Sequence, residues 1–265
     1  MNYDEFLLKI FNLTGIDLSL YKEKQMKRRI DSFIANNNCQ SYDIFYDRLT
    51  KDTKVYKEFL KYITINVTEF FRNFDQWMIL KNEILPKIIK KNMRIWSAAC
   101  STGEEAYSLA MIISNFIDLN QVNIIATDID DVVLEKAKKG IYSNKSLEKV
   151  PKEYLKYFSC YNENNYIISE ELRKNIVFKK HNLLLDKFPE NIDLIVCRNV
   201  LIYFNDKAKE EIYKKFYSSL STEGILFVGS TEQIIFPFKY NFTPVKTFFY
   251  KKCLNSCEFN IKLRI

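Results

Sequence analysis

The sequence predicts an α/β protein in which an all-helical domain precedes a domain with a largely parallel sheet, and a small antiparallel β-hairpin is inserted in the second domain. The first ~90 residues carry apolar side chains at helical spacing, as in Phe6, Leu7, Ile10 and Phe11, and show no strand pattern. After Pro86, short apolar runs alternate with amphipathic stretches, which is typical of parallel α/β sheets. We expect domains at residues 1–80 and 81–265, with the hairpin at about 157–180.

The individual elements follow from the same patterns. A further helix of the first domain carries Met26, Ile30, Phe33 and Ile34 on one face. In the second domain, helices are expected at about 104–117, 131–138 and 206–220. The segment Phe242–Lys252 is rich in Phe, Val and Thr and predicts a closing antiparallel strand. The remaining strands are predicted at Arg94–Ala99, Asn123–Thr127, Asn175–Lys179, Asp193–Cys197 and Gly224–Gly229.

The inserted hairpin is indicated by the polar turn Asn162–Asn165, which lies between Cys160-Tyr161 and the apolar run Tyr166–Ile168. Such an insertion is either a docking surface for a partner or an ordinary surface excursion, and composition alone leaves both open.

Composition and charge limit the classes of function. The chain has 40 Lys and Arg against 33 Asp and Glu, a net charge of +7, which favours an acidic partner: nucleic acid, anionic lipid or an acidic protein surface. A lysine-rich surface that only maintains solubility is an equal alternative. No apolar run approaches the ~20 residues that cross a bilayer, and no secretion signal is evident at Met1, so a cytoplasmic protein without membrane insertion is expected.

The cysteines argue against a metal cluster. Six cysteines, at positions 39, 100, 160, 197, 253 and 257, form no Cys-x-x-Cys pair, and His181 is the single histidine. Zinc sites need such closely spaced ligands. We expect reduced thiols and no metal.

The most informative segment runs from Arg94 to Met111. An apolar strand ends in the small-residue loop Ala98–Gly103, which lets a ligand approach the backbone before a helix begins at Glu104. The loop has one glycine and leads into a helix that starts with two acidic residues, Glu104 and Glu105. It is therefore unlike a phosphate cradle and suits an ammonium or sulfonium group better. Alternatively, the two glutamates only complement the helix dipole.

Two further strand ends are polar. The strand before Asp128 delivers this carboxylate to its carboxyl end, where open α/β sheets bind ligands and where an acid can accept both ribose hydroxyls. The strand Asp193–Cys197 is followed by Arg198 and Asn199. The first two strand ends, after Ala98 and at Asp128, are therefore expected to converge on one pocket.

Four separated motifs stand out along the chain: Val67-Thr-Glu-Phe-Phe-Arg72, Ser97-Ala-Ala-Cys-Ser-Thr-Gly-Glu-Glu105, Ala126-Thr-Asp-Ile-Asp130 and Cys197-Arg-Asn-Val-Leu-Ile-Tyr-Phe204. Together they resemble the CheR family of chemotaxis receptor methyltransferases, and the resemblance covers nearly the whole chain. It implies a Rossmann-like S-adenosylmethionine-dependent domain after an all-helical receptor-recognition domain. The implied reaction is methylation of glutamate side chains of methyl-accepting receptors, which forms methyl esters for sensory adaptation and leaves S-adenosylhomocysteine.

The resemblance also implies a set of site residues. Asn66, Thr68 and Arg72 would fold over the cofactor. The methionyl amino group would bind Glu104, with Glu105 as the alternative, and the ribose would bind Asp128. The remaining cofactor contacts would be Asn182 and Leu183 on the adenine side, with Arg198 and Asn199 completing the pocket, and the active site would comprise Arg72 and Tyr203.

This reaction does not need a catalytic histidine. A glutamate carboxylate, with a pKa of about 4.3, is already an anionic nucleophile near neutral pH. Arg72 would hold that carboxylate by a forked contact, and Tyr203 would orient it without neutralising it. Outside these motifs, a surface ion pair for Arg72 and a core position for Tyr203 would be the ordinary interpretations.

A basic helix in the first domain is the expected receptor contact. Lys24, Lys27 and Arg28 share one helix face at i, i+3 and i+4, which suits an acidic helix of the receptor cytoplasmic domain, although a solvated basic face is the ordinary alternative. A monomer is expected. Family members that bind a receptor's C-terminal pentapeptide have a glycine-bearing loop in the inserted subdomain, and Cys160–Ser169 has no glycine. The sequence therefore leaves open whether such a tether binds.

Two other functions compete with this one. A nucleic-acid methyltransferase would fit the basic charge, but amino-methylating members carry Asp/Asn-Pro-Pro-aromatic after the fourth strand, and here Asn199 is followed by Val200-Leu201-Ile202. A non-enzymatic cofactor-binding scaffold is disfavoured by the presence of both Arg72 and Tyr203. No nucleic-acid partner is therefore expected.

Overall fold

The computed structural model describes residues 1–253 and begins with a helical unit. Asn2 and Glu5 form a capping box at the first helix, which ends at Gly15 in a left-handed conformation, with φ of 72°. The side chain of Asp52 caps the fourth helix by accepting from the amides of Lys54 and Val55. The helices are α1 (Tyr3–Thr14), α2 (Glu23–Asn36), α3 (Tyr42–Lys51) and α4 (Thr53–Thr64).

The second unit is built on a seven-stranded sheet. Its strands are β1 (Met93–Ala98), β2 (Val122–Asp128), β6 (Ile176–Lys180), β7 (Ile192–Cys197), β8 (Leu220–Val228), β9 (Phe242–Lys246) and β10 (Phe249–Lys252), and a second sheet contains β3 (Ile141–Ser143), β4 (Phe158–Asn162) and β5 (Asn165–Ile168). The helices are α5 (Phe74–Ile79), α6 (Leu85–Ile88), α7 (Glu104–Ile113), α8 (Asp131–Lys139), α9 (Asn144–Leu147), α10 (Glu170–Lys174) and α11 (Asp206–Ser219), with a π-helical turn at Leu80–Ile84.

The order of the main sheet is β6-β2-β1-β7-β8-β10-β9. The first five strands in this order are parallel, and β10 and β9 are antiparallel to their neighbours. Strand β7 is buried throughout, as expected for a strand covered by helices on both faces. This architecture confirms the predicted fold class. The closing segment forms two strands, β9 and β10, because the chain reverses at Phe248, whose φ is 70°.

The structure places the domain boundary earlier than the sequence pattern does. The core of the helical unit ends at Ile63. Phe70, Trp77 and Leu80 belong instead to the core that covers the sheet. The periodicity after residue 70 does reflect helices, but these helices pack on the second unit. The predicted boundary at residue 80 therefore lies too far toward the carboxyl terminus. Residues 254–265 of the predicted second domain, including Cys257, lie outside the described residues.

The inserted subdomain is a three-stranded antiparallel sheet with the order β3-β5-β4. The short strand Ile141–Ser143 was not predicted from the sequence. Residues 176–180, which the predicted range 157–180 includes, pair with β2 in the main sheet, so the insertion is shorter than predicted. Within residues 1–253, no helix combines the length and the apolar character needed to cross a bilayer.

Candidate functional site

A cleft lies at the carboxyl ends of β1, β2 and β7 and has a polar half and an apolar half. The two halves share Thr64, Ala99, Asp128, Val200 and Tyr203. The polar half is further lined by Ile65, Asn66, Val67, Thr68, Glu69, Arg72, Ser101, Glu105, Arg198 and Asn199. The apolar half is completed by Tyr21, Ile63, Ile129, His181, Asn182, Leu183, Leu184 and Phe204.

The loop after β1 has an unusual backbone. Ala99 and Ser101, neither of them glycine, adopt φ values of 64° and 49°, and Gly103 has φ of 94°. A left-handed conformation costs a residue with a side chain roughly 1–2 kcal/mol, and such strain clusters at functional sites. A Cβ on Gly103 would lie 2.8 Å from the Ala137 Cβ, so only glycine lets this loop approach α8 so closely.

Asp128 is a buried carboxylate that two backbone amides hold in place. Its Oδ2 accepts from the amide of Ser101 at 2.8 Å, and its Oδ1 accepts from the amide of Asp130 at 3.1 Å. Burial raises the pKa of Asp128 to about 6, although these hydrogen bonds act in the opposite direction. Each carboxylate oxygen still has acceptor capacity for a ligand hydroxyl.

The two glutamates at the start of α7 have different surroundings. Glu105 lines the cleft, and its Oε1 accepts from the Ser97 hydroxyl at 2.9 Å. Burial raises the pKa of Glu105 to about 7, against the lowering effect of the Arg198 guanidinium. Glu104 does not line the cleft, and its carboxylate accepts from the Thr102 hydroxyl at 2.7 Å. Of the two glutamates, Glu105, the alternative that the sequence leaves open, is the one that lines the cleft.

Arg198 connects the sheet to the loop that precedes α5. Its guanidinium lies 5.1 Å from the centre of the Trp77 ring and 4.9 Å from that of Phe227, and it pairs with the Glu105 carboxylate at 3.6 Å. Its Nη2 donates to the Arg72 carbonyl at 2.6 Å. The side chain therefore holds the backbone of Arg72 and lies against the carboxylate of Glu105.

The loop from Ile65 to Asn73 forms one wall of the polar half. Its backbone contains three residues in the left-handed region, Ile65, Phe71 and Asn73, with φ values of 52°, 50° and 59°. The Asn66 amide group donates to the Asp130 carboxylate at 2.7 Å, and Arg72 Nη1 donates to the Val67 carbonyl at 3.2 Å. These contacts hold the loop over the ends of β1 and β2.

Tyr203 lies between the two halves of the cleft, at the end of the short 3₁₀ turn Leu201–Tyr203. The helical unit contacts this turn directly. The Lys22 amide donates to the Tyr203 carbonyl at 2.9 Å, and the Tyr21 and Phe204 rings meet edge to face at 4.9 Å. The start of α2 therefore forms part of the site's surroundings.

The apolar half is closed by residues from both units. Asn182 Nδ2 donates to the Gly15 carbonyl at 3.3 Å, which links the segment after β6 to the end of α1. The His181 Nε2 is buried without a hydrogen-bond partner among residues 1–253, and burial lowers the pKa of His181. The ring is therefore neutral near pH 7.

The structure brings nearly all predicted site residues into one cleft, with Glu104 as the exception. Those that line it are Asn66, Thr68, Arg72, Asp128, Asn182, Leu183, Arg198, Asn199 and Tyr203. Sequence reasoning missed Tyr21, Ser101 and His181, of which Ser101 was signalled only by its place in the small-residue loop. It also missed Glu232, whose buried carboxylate binds the backbone of the segment that carries Asn199.

Comparisons with known proteins agree on one family. A family model described as "CheR methyltransferase, all-alpha domain" matches residues 1–64, and one described as "CheR methyltransferase, SAM binding domain" matches residues 66–249. The division between the two models coincides with the boundary between the two cores.

Two relatives are similar over most of their length. A chemotaxis protein methyltransferase of Listeria innocua is 41% identical over 241 residues, covering 90% of this chain and 92% of that protein. One of Borreliella burgdorferi is 36% identical over 245 residues, covering 86% and 87%. A TehB-like SAM-dependent methyltransferase structure from Corynebacterium glutamicum is 13% identical with a TM-score of 0.38, covering 68% of this chain and 94% of that one, a likeness too low to bear on function.

Proposed function

The chain belongs to the CheR methyltransferase family of S-adenosylmethionine-dependent enzymes, and we propose that its cleft transfers a methyl group to glutamate side chains of chemotaxis receptors. One observation carries the proposal at the level of residues. Two buried carboxylates, Glu105 and Asp128, meet Arg72 and Tyr203 in a single cleft at the carboxyl ends of parallel strands.

The lining of the cleft fits the cofactor. Glu105 offers a carboxylate to the methionyl ammonium group, and Asp128 offers acceptors to the ribose hydroxyls. Ser101 supplies a buried hydroxyl that has no hydrogen-bond partner among the described residues, as expected where a ligand supplies the partner. The apolar half, with Leu183 and Phe204, suits the adenine ring. When bound, S-adenosylmethionine supplies an electrophilic sulfonium methyl group.

The chain's own residues then position the acceptor. A glutamate carboxylate is ionised near neutral pH and needs no general base. One guanidinium N–H of Arg72 donates to the Val67 carbonyl, and the other N–H donors are suited to a forked contact with the carboxylate of the acceptor glutamate. The Tyr203 hydroxyl donates a further hydrogen bond that orients the attacking oxygen. Positioning of this kind accounts for most of the expected rate gain.

The receptor is proposed to dock on the basic face of α2. Lys24, Lys27 and Arg28 are exposed on this helix, and none of the three forms an ion pair within residues 1–253. Lys27 lies over the Tyr3 ring at 4.8 Å, which fixes the side chain without neutralising it. An acidic helix of the receptor cytoplasmic domain complements this face. We also propose that the enzyme acts as a monomer in the cytoplasm, where that receptor domain lies.

Methyl transfer to different acceptors tests the proposed function. Purified enzyme and labelled S-adenosylmethionine are incubated with an isolated receptor cytoplasmic domain, with the same domain carrying alanine at its acceptor glutamates, and with RNA. We expect label in the first acceptor alone. Label in RNA, or equal label in both receptor domains, would contradict the proposal.

A further inference from the structure

Glu232 has a buried carboxylate beside the cleft, and nothing in the motifs points to it. Glu232 follows β8 and is 5% exposed. No lysine or arginine lies within ion-pair distance of it in the described part of the chain. Its partners are backbone amides: Oε2 accepts from Asn199 at 2.6 Å and Gly229 at 2.9 Å, and Oε1 accepts from Val200 at 2.8 Å, Leu201 at 2.6 Å and Ile202 at 3.3 Å.

Four of these five amides, those of residues 199–202, belong to the turn that carries Asn199 and Tyr203 of the proposed site. Asn199 has φ of 61°, and the chain then enters the 3₁₀ turn Leu201–Tyr203. Successive amides that point inward from such a turn form an anion-binding nest. Without an acceptor, these buried donors would each cost about 1–3 kcal/mol. Glu232 therefore accepts hydrogen bonds from amides of the turn that have no acceptor within the turn itself.

The approach of Glu232 also depends on Gly229. A Cβ at Gly229 would lie 2.5 Å from Glu232 Oε2 and 2.9 Å from the Asn199 nitrogen. Real Cβ contacts do not reach such short distances, so any side chain at position 229 would push the carboxylate or the turn away.

We propose that Glu232 is a positioning residue for methyl transfer, which holds Asn199 and Tyr203 in their places by anchoring the turn between them. The inference rests on the proposed roles of these two residues and adds a partner that acts through them. Glu232 itself does not line the cleft.

The charge and the length of the side chain both matter in this geometry. Each carboxylate oxygen accepts from at least two amides, so Glu232→Gln turns an NH₂ group toward N–H donors whichever way the amide is oriented. Glu232→Asp keeps the charge but shortens the reach by one methylene. We expect Glu232→Gln to lower kcat by about 10- to 100-fold, since a displacement near 1 Å has effects of this size. Glu232→Asp should recover part of the loss.

Asp193→Asn is the matched control. Asp193 is also a buried carboxylate, which accepts from the Arg94 amide at 3.0 Å and the Ser221 hydroxyl at 2.8 Å. It lies at the amino end of β7, whereas Asn199 follows the carboxyl end of the same strand. Asp193→Asn should lower the thermal unfolding temperature, as Glu232→Gln should, while kcat and the affinity for S-adenosylhomocysteine stay within about 3-fold of the wild type.

A double-mutant cycle on kcat decides whether Glu232 acts through Tyr203. If it does, Glu232→Gln combined with Tyr203→Phe should be no more than about 3-fold slower than the slower single variant. The proposal would be overturned if the loss of kcat in the double variant equals the product of the losses in the two single variants. It would also be overturned if Glu232→Gln loses stability but retains the wild-type kcat. Should Glu232→Gln not fold, Gly229→Ala displaces the carboxylate without changing its charge, and wild-type turnover in that variant would overturn the proposal equally.

Failure of the proposed function would give results different from those that overturn the inference about Glu232. Product affinity is measured without turnover, and Glu232→Gln should weaken it through Asn199 even if the acceptor is not a receptor. If the wild type does not methylate receptors, the proposed function fails. If Tyr203→Phe slows turnover while Glu232→Gln alters neither kcat nor product affinity, only the inference about Glu232 fails.

Discussion

The backbone amide of Lys22 donates a hydrogen bond to the carbonyl of Tyr203 at 2.9 Å. Asn205 reinforces the contact, since its amide donates to the Leu20 carbonyl at 2.9 Å. The residue before α2 is therefore joined to the turn that carries the proposed active-site tyrosine. The basic helix, although distant in sequence from every cofactor motif, begins at the edge of the cleft. A receptor helix bound along α2 would thus lead toward the site of methyl transfer.

Arg72→Ala and Tyr203→Phe should each lower kcat by about 10- to 100-fold, because both side chains are assigned to positioning the acceptor. Arg72→Ala should also weaken cofactor binding, since Arg72 lines the polar half of the cleft. Circular dichroism and thermal unfolding check that both variants fold. Turnover like that of the wild type at saturating substrate would remove both residues from the active site.

Asp128→Ala should weaken binding of S-adenosylhomocysteine by about 10- to 100-fold, which corresponds to the loss of one or two hydrogen bonds to a charged group. Isothermal titration calorimetry measures the dissociation constant. Asp118→Ala is the control, because Asp118 likewise accepts from backbone, at the Asn120 amide, but does not line the cleft. An unchanged dissociation constant in Asp128→Ala would exclude this carboxylate from the ribose site.

Glu105→Gln should weaken product binding far more than Glu104→Gln, because only Glu105 lines the cleft. The wild-type affinity should also fall as pH falls from about 8 to about 6. Burial raises the pKa of Glu105 to about 7, so below that pH the carboxylate must release a proton before it can pair with an ammonium group. Calorimetry across this range measures the slope. A larger effect of Glu104→Gln, or an unchanged slope in Glu105→Gln, would assign the amino group elsewhere.

The charge reversals Lys24→Glu and Arg28→Glu should together raise the KM for the receptor and leave the affinity for S-adenosylhomocysteine unchanged. Added salt should weaken the wild-type interaction more than the variant's, since screening acts on the favourable charges that the variant lacks. Lys87→Glu with Lys91→Glu matches the change in charge at exposed positions before the amino end of β1. If both pairs of charge reversals change the KM for the receptor equally, the basic face of α2 is only solvated and does not bind the receptor.

The sequence predicted the features that depend on local pattern. Alternating apolar runs predicted the strands of the main sheet, and the rule that ligands bind at the carboxyl ends of parallel strands led to Asp128. Arg198 was assigned to the pocket through the family resemblance. Periodicity alone could not show on which unit a helix packs. The predicted boundary at residue 80 therefore assigned the segment that includes Trp77 to the helical unit, whereas this segment packs on the sheet. The strand Ile141–Ser143 was too short to give a pattern of its own.

The features that were missed depend on tertiary contacts. Glu104 and Glu105 are adjacent, and only the direction of α7 after Gly103 determines which carboxylate enters the cleft. Glu232 follows a strand without any local pattern, and its role follows from the amides that surround it in the folded chain. Tyr21 reaches the cleft because the helical unit packs against Phe204.

The most direct test of the account is to locate the transferred methyl group by mass spectrometry of a receptor cytoplasmic domain after reaction with the wild-type enzyme and with Tyr203→Phe. We expect a base-labile methyl ester on glutamate side chains with the wild type and much less of it with the variant. Methyl groups on other side chains, or no methylation of the receptor by an enzyme that binds S-adenosylhomocysteine, would contradict the assignment of this cleft to glutamate methylation.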